Sequence, residues 1–485
     1  MNANTMTLPF RSWLQTFPVL ATAVLLFLSG CTVGPNYRPP ATPQPAGFAD
    51  ATALAPAPGP VEAEWWRVFK DPLLEELIAM ATTNNYSLRL AQARLREARA
   101  LWREARFDFA PTIRNNNFYQ NTQDSLANEP NKDREGRHNE LYRVGFDSTW
   151  ELDLWGRVRR NVEAAHATVE SIEASRDDLL VSVRAEVAAN YLEMRGVYAQ
   201  LGVAQRNATN QAQTLKLAEA LRDGGQGTQL DVARARSLLN ATLATIPPLE
   251  RNLKEATHRL AILCGQPPGG LREEITAPGP MPPGPAEIAL GNPAELLRRR
   301  PDVRAAERSL AATTARIGVE VADLFPRVTF VGSIGLEANR FSGFTASGTD
   351  SWGFGPHISW AALDIGRVRQ RIKAAGARAE GALSIYEQTI LLALEETENS
   401  FVALGRERQR LGYLRESERA GAEAVELARQ RYRDGIADFL SVLDAERTLL
   451  SLQEQLVTSE TRTATSLVAV YKALGGGVPS PATAK

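Results

Sequence analysis

Three residues near the C-terminus have types and spacing that could do chemistry. Leu440, Asp444 and Arg447 follow one another at intervals of four and three residues, which places them near one face of a helix. A carboxylate and a guanidinium at this spacing can form an ion pair. An ordinary exposed helical pair, worth about 0.2–0.5 kcal/mol, is the simpler interpretation from spacing alone.

These residues follow a turn between two long helical runs. Gly435 can end the first helix in a left-handed conformation, and Asp438 can cap the start of the second. A similar pattern occurs earlier, around Gly224 and Asp231. The spacing from Gly224 to Gly435 is 211 residues, which predicts a helical hairpin tip that occurs twice in a repeated architecture.

Composition argues against several classes of function. The 485 residues include 55 basic and 56 acidic side chains, a balance that gives no reason to expect a nucleic-acid partner. None of the four histidines has a second histidine at metal-ligand spacing. The chain also lacks a phosphate-binding loop and a clustered nucleophile motif, so we expect neither an enzyme nor a metal site.

The N-terminus has the form of a lipoprotein signal. Arg11 precedes a short apolar run that ends in Leu28-Ser29-Gly30-Cys31. We expect residues 1–30 to be removed, Cys31 to carry the covalent lipid and residues 31–70 to form an extended tether. A cytosolic start that happens to be apolar is the alternative. Cys264 is then a lone thiol, expected to be a small buried hydrophobe.

Hydrophobic periodicity divides the rest of the chain into two similar halves. Residues 71–265 are predicted to contain a helix from Pro72 to Phe107, strands at about 109–120 and 140–152, and a long helical hairpin. Residues 296–474 repeat this order, with strands at about 327–340 and 351–363. The Gly- and Pro-rich linker 266–295 separates the halves, and 475–485 is a C-terminal tail.

The helices of the hairpins are unusually long. Residues 157–222 contain no proline, and at a rise of ~1.5 Å per residue they would span roughly 100 Å. Leucine, valine, methionine and alanine recur every seven residues in this stretch, which indicates coiled-coil packing. The second hairpin has adjacent apolar seams, a pattern that suits a closed ring of helices.

The predicted strands alternate between an apolar, aromatic face and a polar face. This is the pattern of a membrane barrel with a wet lumen, and four strands cannot close such a barrel, so several chains must contribute. Two soluble hairpins that pack on helices are the alternative. Tyr142, Trp150, Trp352 and Trp360 are candidates for an aromatic girdle at the membrane interfaces.

Five motifs, in order, resemble those of the outer-membrane factors of bacterial efflux systems, the TolC-type channels, and their lipoprotein branch in particular. They are Cys31-Thr32-Val33-Gly34-Pro35-Asn36-Tyr37, Trp65-Trp66 with Asp71-Pro72, Trp150-Glu151-Leu152-Asp153-Leu154-Trp155-Gly156-Arg157, Arg299-Arg300-Pro301-Asp302-Val303 and Leu443-Asp444-Ala445-Glu446-Arg447. The resemblance implies a mainly helical mixed fold. A homotrimer would form a long α-helical barrel in the periplasm, joined to a 12-stranded transmembrane β-barrel with four strands from each chain.

The same resemblance implies a passive exit duct for drugs or other small toxic compounds, lipid-anchored in the outer membrane. A periplasmic adaptor and an inner-membrane transporter, usually proton-driven, would be its partners. Leu440, Asp444 and Arg447 match positions of the periplasmic gate, where copies of Asp444 would repel one another or pair with Arg447. The candidates for adaptor docking at the tips are Gly224, Asp231, Arg234, Gly435 and Asp438.

Three rival interpretations remain open. Within the family, the chain could be the outer-membrane duct of another exporter, for metals or a secreted peptide. Outside it, a coiled-coil structural lipoprotein would explain the heptads but not the alternating strands, and a periplasmic lipoprotein enzyme has no catalytic motif to support it. The sequence does not name the cargo, because a passive duct has little reason to encode cargo specificity.

Overall fold

A computed structural model describes residues 31–41, 47–50, 54, 56, 57, 59 and 62–477. The predicted signal segment 1–30 and most of the predicted tail lie outside these residues. The described chain divides into two compact units. Residues 31–40, Leu95–Ile172 and Ala306–Tyr386 form the first, and the described parts of Ala41–Arg94, Glu173–Ala305 and Glu387–Lys485 form the second.

Helices account for most of the described chain. After a 3-10 turn at Trp65–Phe69, they are α1 (Pro72–Asn84), α2 (Tyr86–Phe107), α3 (Arg157–Asp223), α4 (Gln229–Leu243), α5 (Ile246–Leu263), α6 (Glu273–Thr276), α7 (Pro293–Arg299), α8 (Pro301–Ala322), α9 (Ile365–Arg433) and α10 (Phe439–Ala473). The longest, α3 and α9, contain 67 and 69 residues. The predicted break at Pro247-Pro248 is present, because α4 ends at Leu243 and α5 begins at Ile246 with prolines in its first turn.

Four long strands form one antiparallel sheet in the first unit. They are β2 (Thr112–Gln123), β3 (His138–Leu152), β5 (Arg327–Ala338) and β6 (Asp350–Ser359), in the order β2-β3-β5-β6. Two-residue strands, β1 (Pro56–Ala57) and β4 (Ile288–Ala289), pair in parallel in the second unit. The expected mainly helical fold with four long strands and two repeats is confirmed.

The strand ends differ from those predicted. Gln123 still pairs with His138, so the hairpin extends into the predicted loop 120–139 and leaves only residues 124–137 as loop. Polar side chains support this extension, since Asn139 donates to the carboxylate of Asp124 at 2.8 Å. At the other hairpin, β6 ends at Ser359, before the predicted limit of 363.

Strand register gives the spacing of the repeat. Thr112 pairs with Thr149, and Arg327 pairs with Ser359. Thus β2 precedes β5 by 215 residues, whereas β3 precedes β6 by 210. The smaller spacing continues through the long helices to the tips.

The single helix predicted from Pro72 to Phe107 is wrong, because Asn85 divides it into α1 and α2. Asn85 has an extended backbone, and its side-chain oxygen accepts hydrogen bonds from the amides of Ser87 and Leu88. Its amide nitrogen donates to the carbonyl of Leu263 at 2.9 Å. Apolar residues keep a helical spacing across this break, so periodicity alone could not reveal it.

Aromatic residues build the core of the second unit. Trp65 is fully buried and stacks on Tyr471, with ring centroids 5.4 Å apart. Asp71 caps α1 as predicted, by accepting hydrogen bonds from the amides of Leu73 and Leu74. Its second oxygen accepts the hydroxyl of the buried Tyr191 at 2.6 Å, so the cap is tied to α3.

Residues 32–37, which we call the N-terminal strap, are not the free tether predicted from their composition. The buried guanidinium of Arg160 donates to the carbonyls of Val33 and Gly34 and to the side chain of Asn36. Tyr37 closes the strap by donating its hydroxyl to Glu307 at 3.0 Å. The strap is therefore fixed to the first unit, one residue after the exposed Cys31.

Candidate functional site

The sheet of the first unit has one apolar face and one polar face. Register places alternate residues of neighbouring strands on the same face, so Phe146 lies beside Ile334, which lies beside Trp352. These three side chains are more than half exposed, at 53%, 65% and 67%. Further exposed members of this face are Ile113, Val144, Phe330, Leu336, Phe354 and Ile358. An apolar surface of this extent marks a face that binds lipid or protein.

The four predicted girdle residues lie at the two ends of the apolar face. Tyr142 and Trp352 are near the loop ends of β3 and β6, and Trp150 and Trp360 are near the ends that join the helices. Each pair is eight residues apart, roughly 26 Å along a strand. The spacing is close to the ~25 Å height of the apolar band of outer-membrane barrels.

Trp150 and Trp360 make equivalent hydrogen bonds in the two halves. The indole of Trp150 donates to the carbonyl of Phe109 at 3.1 Å, and that of Trp360 to the carbonyl of Leu324 at 3.0 Å. Each bond ties a strand to the residues just after a helix, α2 or α8. A ring with an apolar body and a satisfied polar tip suits a membrane–water interface.

Paired charges cover the opposite face of the sheet. Arg143 donates to Asp147 at 2.7 Å and lies 3.6 Å from the carboxylate of Glu337 on β5. Asn116 on β2 donates to the same Asp147 at 2.7 Å. This face is polar and internally neutralised, as expected of a surface in contact with water.

The two helical tips lie in the second unit and repeat each other. At the second tip Gly435 adopts a left-handed conformation with φ 69°, as predicted. At the first tip the equivalent residue is Gly225, with φ 77°, and not Gly224. The true offset is therefore 210 residues, and the predicted 211 is wrong, because two successive glycines made the alignment ambiguous by one position.

Polar side chains cap the return helix at each tip. Thr228 and Asp231 form a reciprocal capping box at the start of α4. Asp438 caps α10 by accepting hydrogen bonds from the hydroxyl and the amide of Ser441, which, with the nearby charge of Arg234, hold the pKa of Asp438 below its usual range. Two predicted docking residues thus have structural roles in the caps.

An apolar cluster joins the two tips. Val232 and Ala235 of α4 pack in one buried cluster with Phe439, Val442 and Leu443 of α10. Burial, reinforced by the charge of Asp231, raises the pKa of the Tyr432 hydroxyl next to this cluster. The two hairpins are therefore coupled at their ends.

Charge pairs at the tips have opposite polarity in the two repeats. Arg236 donates to Glu219 at 3.2 Å in the first hairpin. At the positions 210 residues later, Arg429 donates to Glu446 at 2.8 Å. Glu446 is only 5% exposed and also accepts the hydroxyl of Thr214 from the first hairpin at 2.8 Å. Sequence analysis missed Glu446; the corrected offset would have aligned the two pairs.

The predicted gate residues lie together at the second tip. Leu440 is 51% exposed, and Asp444 and Arg447 are also exposed. No ion pair or side-chain hydrogen bond joins Asp444 to Arg447 within the described chain. The expected bond inside one chain is therefore absent from this conformation, and Glu446, on the buried side of the same helix, makes the ionic contacts instead.

Two findings concern other kinds of site. Among the residues that the structure describes, no helix is both long enough and apolar enough to cross a bilayer. The same residues contain no cluster of three or more histidine, cysteine, aspartate or glutamate side chains that could hold a metal ion. Cys264 is buried, and burial raises the pKa of its thiol to about 11.

Comparison with known proteins connects the sheet and the tips to one family. The family profile described as "Outer membrane efflux protein" matches residues 77–266 and 292–476, which span both repeats. The chain belongs to this outer membrane efflux protein family. It is therefore an outer-membrane channel of an efflux system.

Individual relatives match over nearly the whole length of this channel. Nodulation protein T of Rhizobium leguminosarum bv. trifolii is 31% identical, with 93% of this chain and 96% of that protein covered. The solvent efflux pump outer membrane protein SrpC of Pseudomonas putida is also 31% identical, with 95% and 98% covered. The solved outer-membrane channel OprN is 42% identical, covers 92% of this chain and 99% of its own, and superposes with a TM-score of 0.88.

Proposed function

We propose that the channel works as a homotrimer and passive exit duct across the periplasm and outer membrane. The observation that carries this proposal is the two-faced sheet with two unpaired edges, β2 and β6. Four strands cannot enclose water, whereas three copies supply twelve strands and remove every edge. The apolar faces then contact lipid, and the charged faces line the lumen.

A lipid on Cys31 adds an anchor to this assembly. Cys31 is exposed, and the strap that follows it is bound by the buried Arg160. Val33 also donates its amide to the carbonyl of Trp155, close after the end of β3. The acyl chains would thus emerge beside the helix-proximal end of the membrane strands.

A periplasmic adaptor docks at the tips and links the channel to an inner-membrane transporter, which is expected to be proton-driven. Support comes from the exposed turn residues Gly224 and Gly435 and from the exposed charges of Asp231, Arg234 and Asp438. Because Asp231 and Asp438 hold caps, their contribution to docking includes the shape of the tip as well as its charge.

Leu440, Asp444 and Arg447 form the periplasmic gate in this proposal. Their exposure leaves them free to meet the same residues of other copies around an axis. Since Arg447 has no bond to Asp444 in its own chain, pairing between copies is the arrangement that would use both charges. The bond from Thr214 to Glu446 holds the two hairpins together and acts as a latch on this gate.

The proposed cargo is drugs or other small toxic compounds, without a covalent or redox step and without a cofactor. Relatives named for solvent efflux and for toluene efflux, both 31% identical, support this cargo class. A relative named for pyoverdine export is 33% identical over 442 residues, so export of a larger secreted metabolite is the second candidate.

Rescue of efflux tests the function. The channel would be expressed, with the adaptor and transporter that cross-link to it, in a host that lacks its own outer-membrane efflux channel. We expect the inhibitory concentration of several unrelated drugs to rise several-fold, and cells with adaptor and transporter alone serve as control. Unchanged susceptibility, with the channel present in the outer membrane as a trimer and bound to both partners, would contradict the proposal.

A further inference from the structure

The two halves of the chain meet at an internal seam, in which β3 pairs with β5 and α3 packs beside α8. In the strands, Thr149 pairs with Val331. In the helices, the guanidinium of Arg308 lies 3.4 Å from the carboxylate of Glu170. Nothing in this arrangement is special to the middle of the chain, because each half carries the equivalent elements at its outer edge.

We propose that neighbouring copies reproduce this internal seam, with β6 and α9 of one copy against β2 and α2 of the next. This inference rests on the proposed oligomeric duct and adds its register. Moving Thr149 forward by the 210-residue offset gives Ser359, and moving Val331 back by the 215-residue offset gives Asn116. Ser359 therefore pairs with Asn116 of the next copy, and both belong to the polar faces of their sheets.

The helices present suitable surfaces for this seam. On α2, Leu95 and Ala98 are buried with Val169 of α3, so the opposite side of α2 is free. Arg96 and Glu104 lie there, two residues before Ala98 and nine after Leu95, each about half a turn away.

The free side of α9 is defined in the same way. Arg371 binds Glu320 of α8 at 3.3 Å and thereby marks the side of α9 that packs within the chain. Lys373 and Glu380 follow Arg371 by two and nine residues, which again is about half a turn around the helix.

Opposite charges coincide when the helical seam is transferred between copies. Glu170 and Arg308 map onto Glu380 and Ala93, and Arg96 is one turn along α2 from Ala93. Arg96 thus meets Glu380 of the neighbour, and two turns further along α2 Glu104 meets Lys373. The four charged side chains are exposed, and none of them forms an ion pair or side-chain hydrogen bond in the described chain. The alternation of sign along the seam specifies the register between copies.

Disulfide cross-linking tests the strand register. In a Cys264→Ala background, Asn116→Cys with Ser359→Cys should convert most chains into dimers and trimers on a non-reducing gel. A bond within one chain is excluded, because β2 and β6 are the two edges of the four-stranded sheet. Asn116→Cys with His357→Cys is the control, since it is two residues out of register on the same face.

Charge reversal tests the helical pair. Arg96→Glu and Glu380→Arg should each lower the temperature at which the trimer dissociates in detergent, and the double swap should restore it. Arg94→Glu is the matched control, because Arg94 is exposed on α2 away from the predicted seam. Restoration in the double variant is an effect that two independent losses would not produce.

The two levels of the proposal fail in different ways. A trimer that cross-links only through the control pair, or whose double swap is as labile as the sum of the singles, overturns the register and leaves the duct intact. A parent protein that is monomeric in the outer membrane overturns the proposed duct itself.

Discussion

Single residues show where sequence reasoning worked and where it was displaced. Gly435 and Asp438 have the turn and cap roles predicted from their types, because those roles depend only on local backbone chemistry. The partnership of Asp444 with Arg447 was predicted from spacing and is absent within the described chain. Spacing shows which groups can meet, whereas the buried Glu446 competes for the ionic contacts through residues distant in sequence.

The cap at Asp438 should respond to acid. Its pKa is lowered by hydrogen bonds from Ser441 and by the charge of Arg234, so its stabilising effect is present above the usual carboxyl range and is lost as pH falls through the lowered value. We expect amide protection of residues 436–445, corrected for intrinsic exchange, to decrease on acidification below about pH 4.

Asp438→Asn is the matched control, because asparagine also caps helices but does not titrate in this range. The same loss of protection in Asp438→Asn would show that another group is responsible.

At the scale of elements, the order of helices and strands was predictable because each has a strong period and clear terminal signals. The break at Asn85 was not, since it depends on a hydrogen bond to Leu263, 178 residues away. The N-terminal strap was not predictable either. Its Pro- and Ala-rich surroundings suggest an extended linker, and only the buried Arg160 shows that residues 32–37 are bound.

A methyl group in the strap should release it. A Cβ on Gly34 would lie 2.5 Å from the Cα of Gly318, and the φ of 87° is itself unfavourable for alanine. We expect Gly34→Ala to accelerate cleavage within residues 32–41 by proteinase K on the order of tenfold, as strain of about 1–3 kcal/mol implies. Gly47→Ala is the control, because no atom lies within 4 Å of its added Cβ. Equal cleavage rates in both variants would refute a tightly bound strap.

At the scale of the whole molecule, the membrane location was predictable because lipoprotein signal, alternating strands and very long helices are explained together only by a membrane-to-periplasm channel. The number of copies follows from closure of the sheet and not from any single residue. Cargo was not predictable, since a lumen lined by paired charges such as Arg143 and Asp147 selects weakly among solutes.

The gate belongs to this scale because it requires several copies. Leu440→Ala combined with Asp444→Ala should raise single-channel conductance in planar bilayers, since both side chains would narrow the closed tip. Leu230→Ala with Arg234→Ala is the repeat-matched control, 210 residues earlier on the first tip. A double variant that conducts like the parent, or a control that opens equally well, would place the constriction elsewhere.

The constant offset of 210 residues has a mechanical consequence. It relates Trp150 to Trp360 at the strands and Arg236 to Glu446 beyond the tips, so the long helices between them have neither gained nor lost a residue relative to each other. One extra turn in one helix would displace its tip from the other by about 5.4 Å. The difference between the halves is instead taken up where β2 turns into β3, in the loop 124–137. The chain thus behaves as a pair of matched rulers: length can vary at the outer loops, but the ends that meet a partner must stay level.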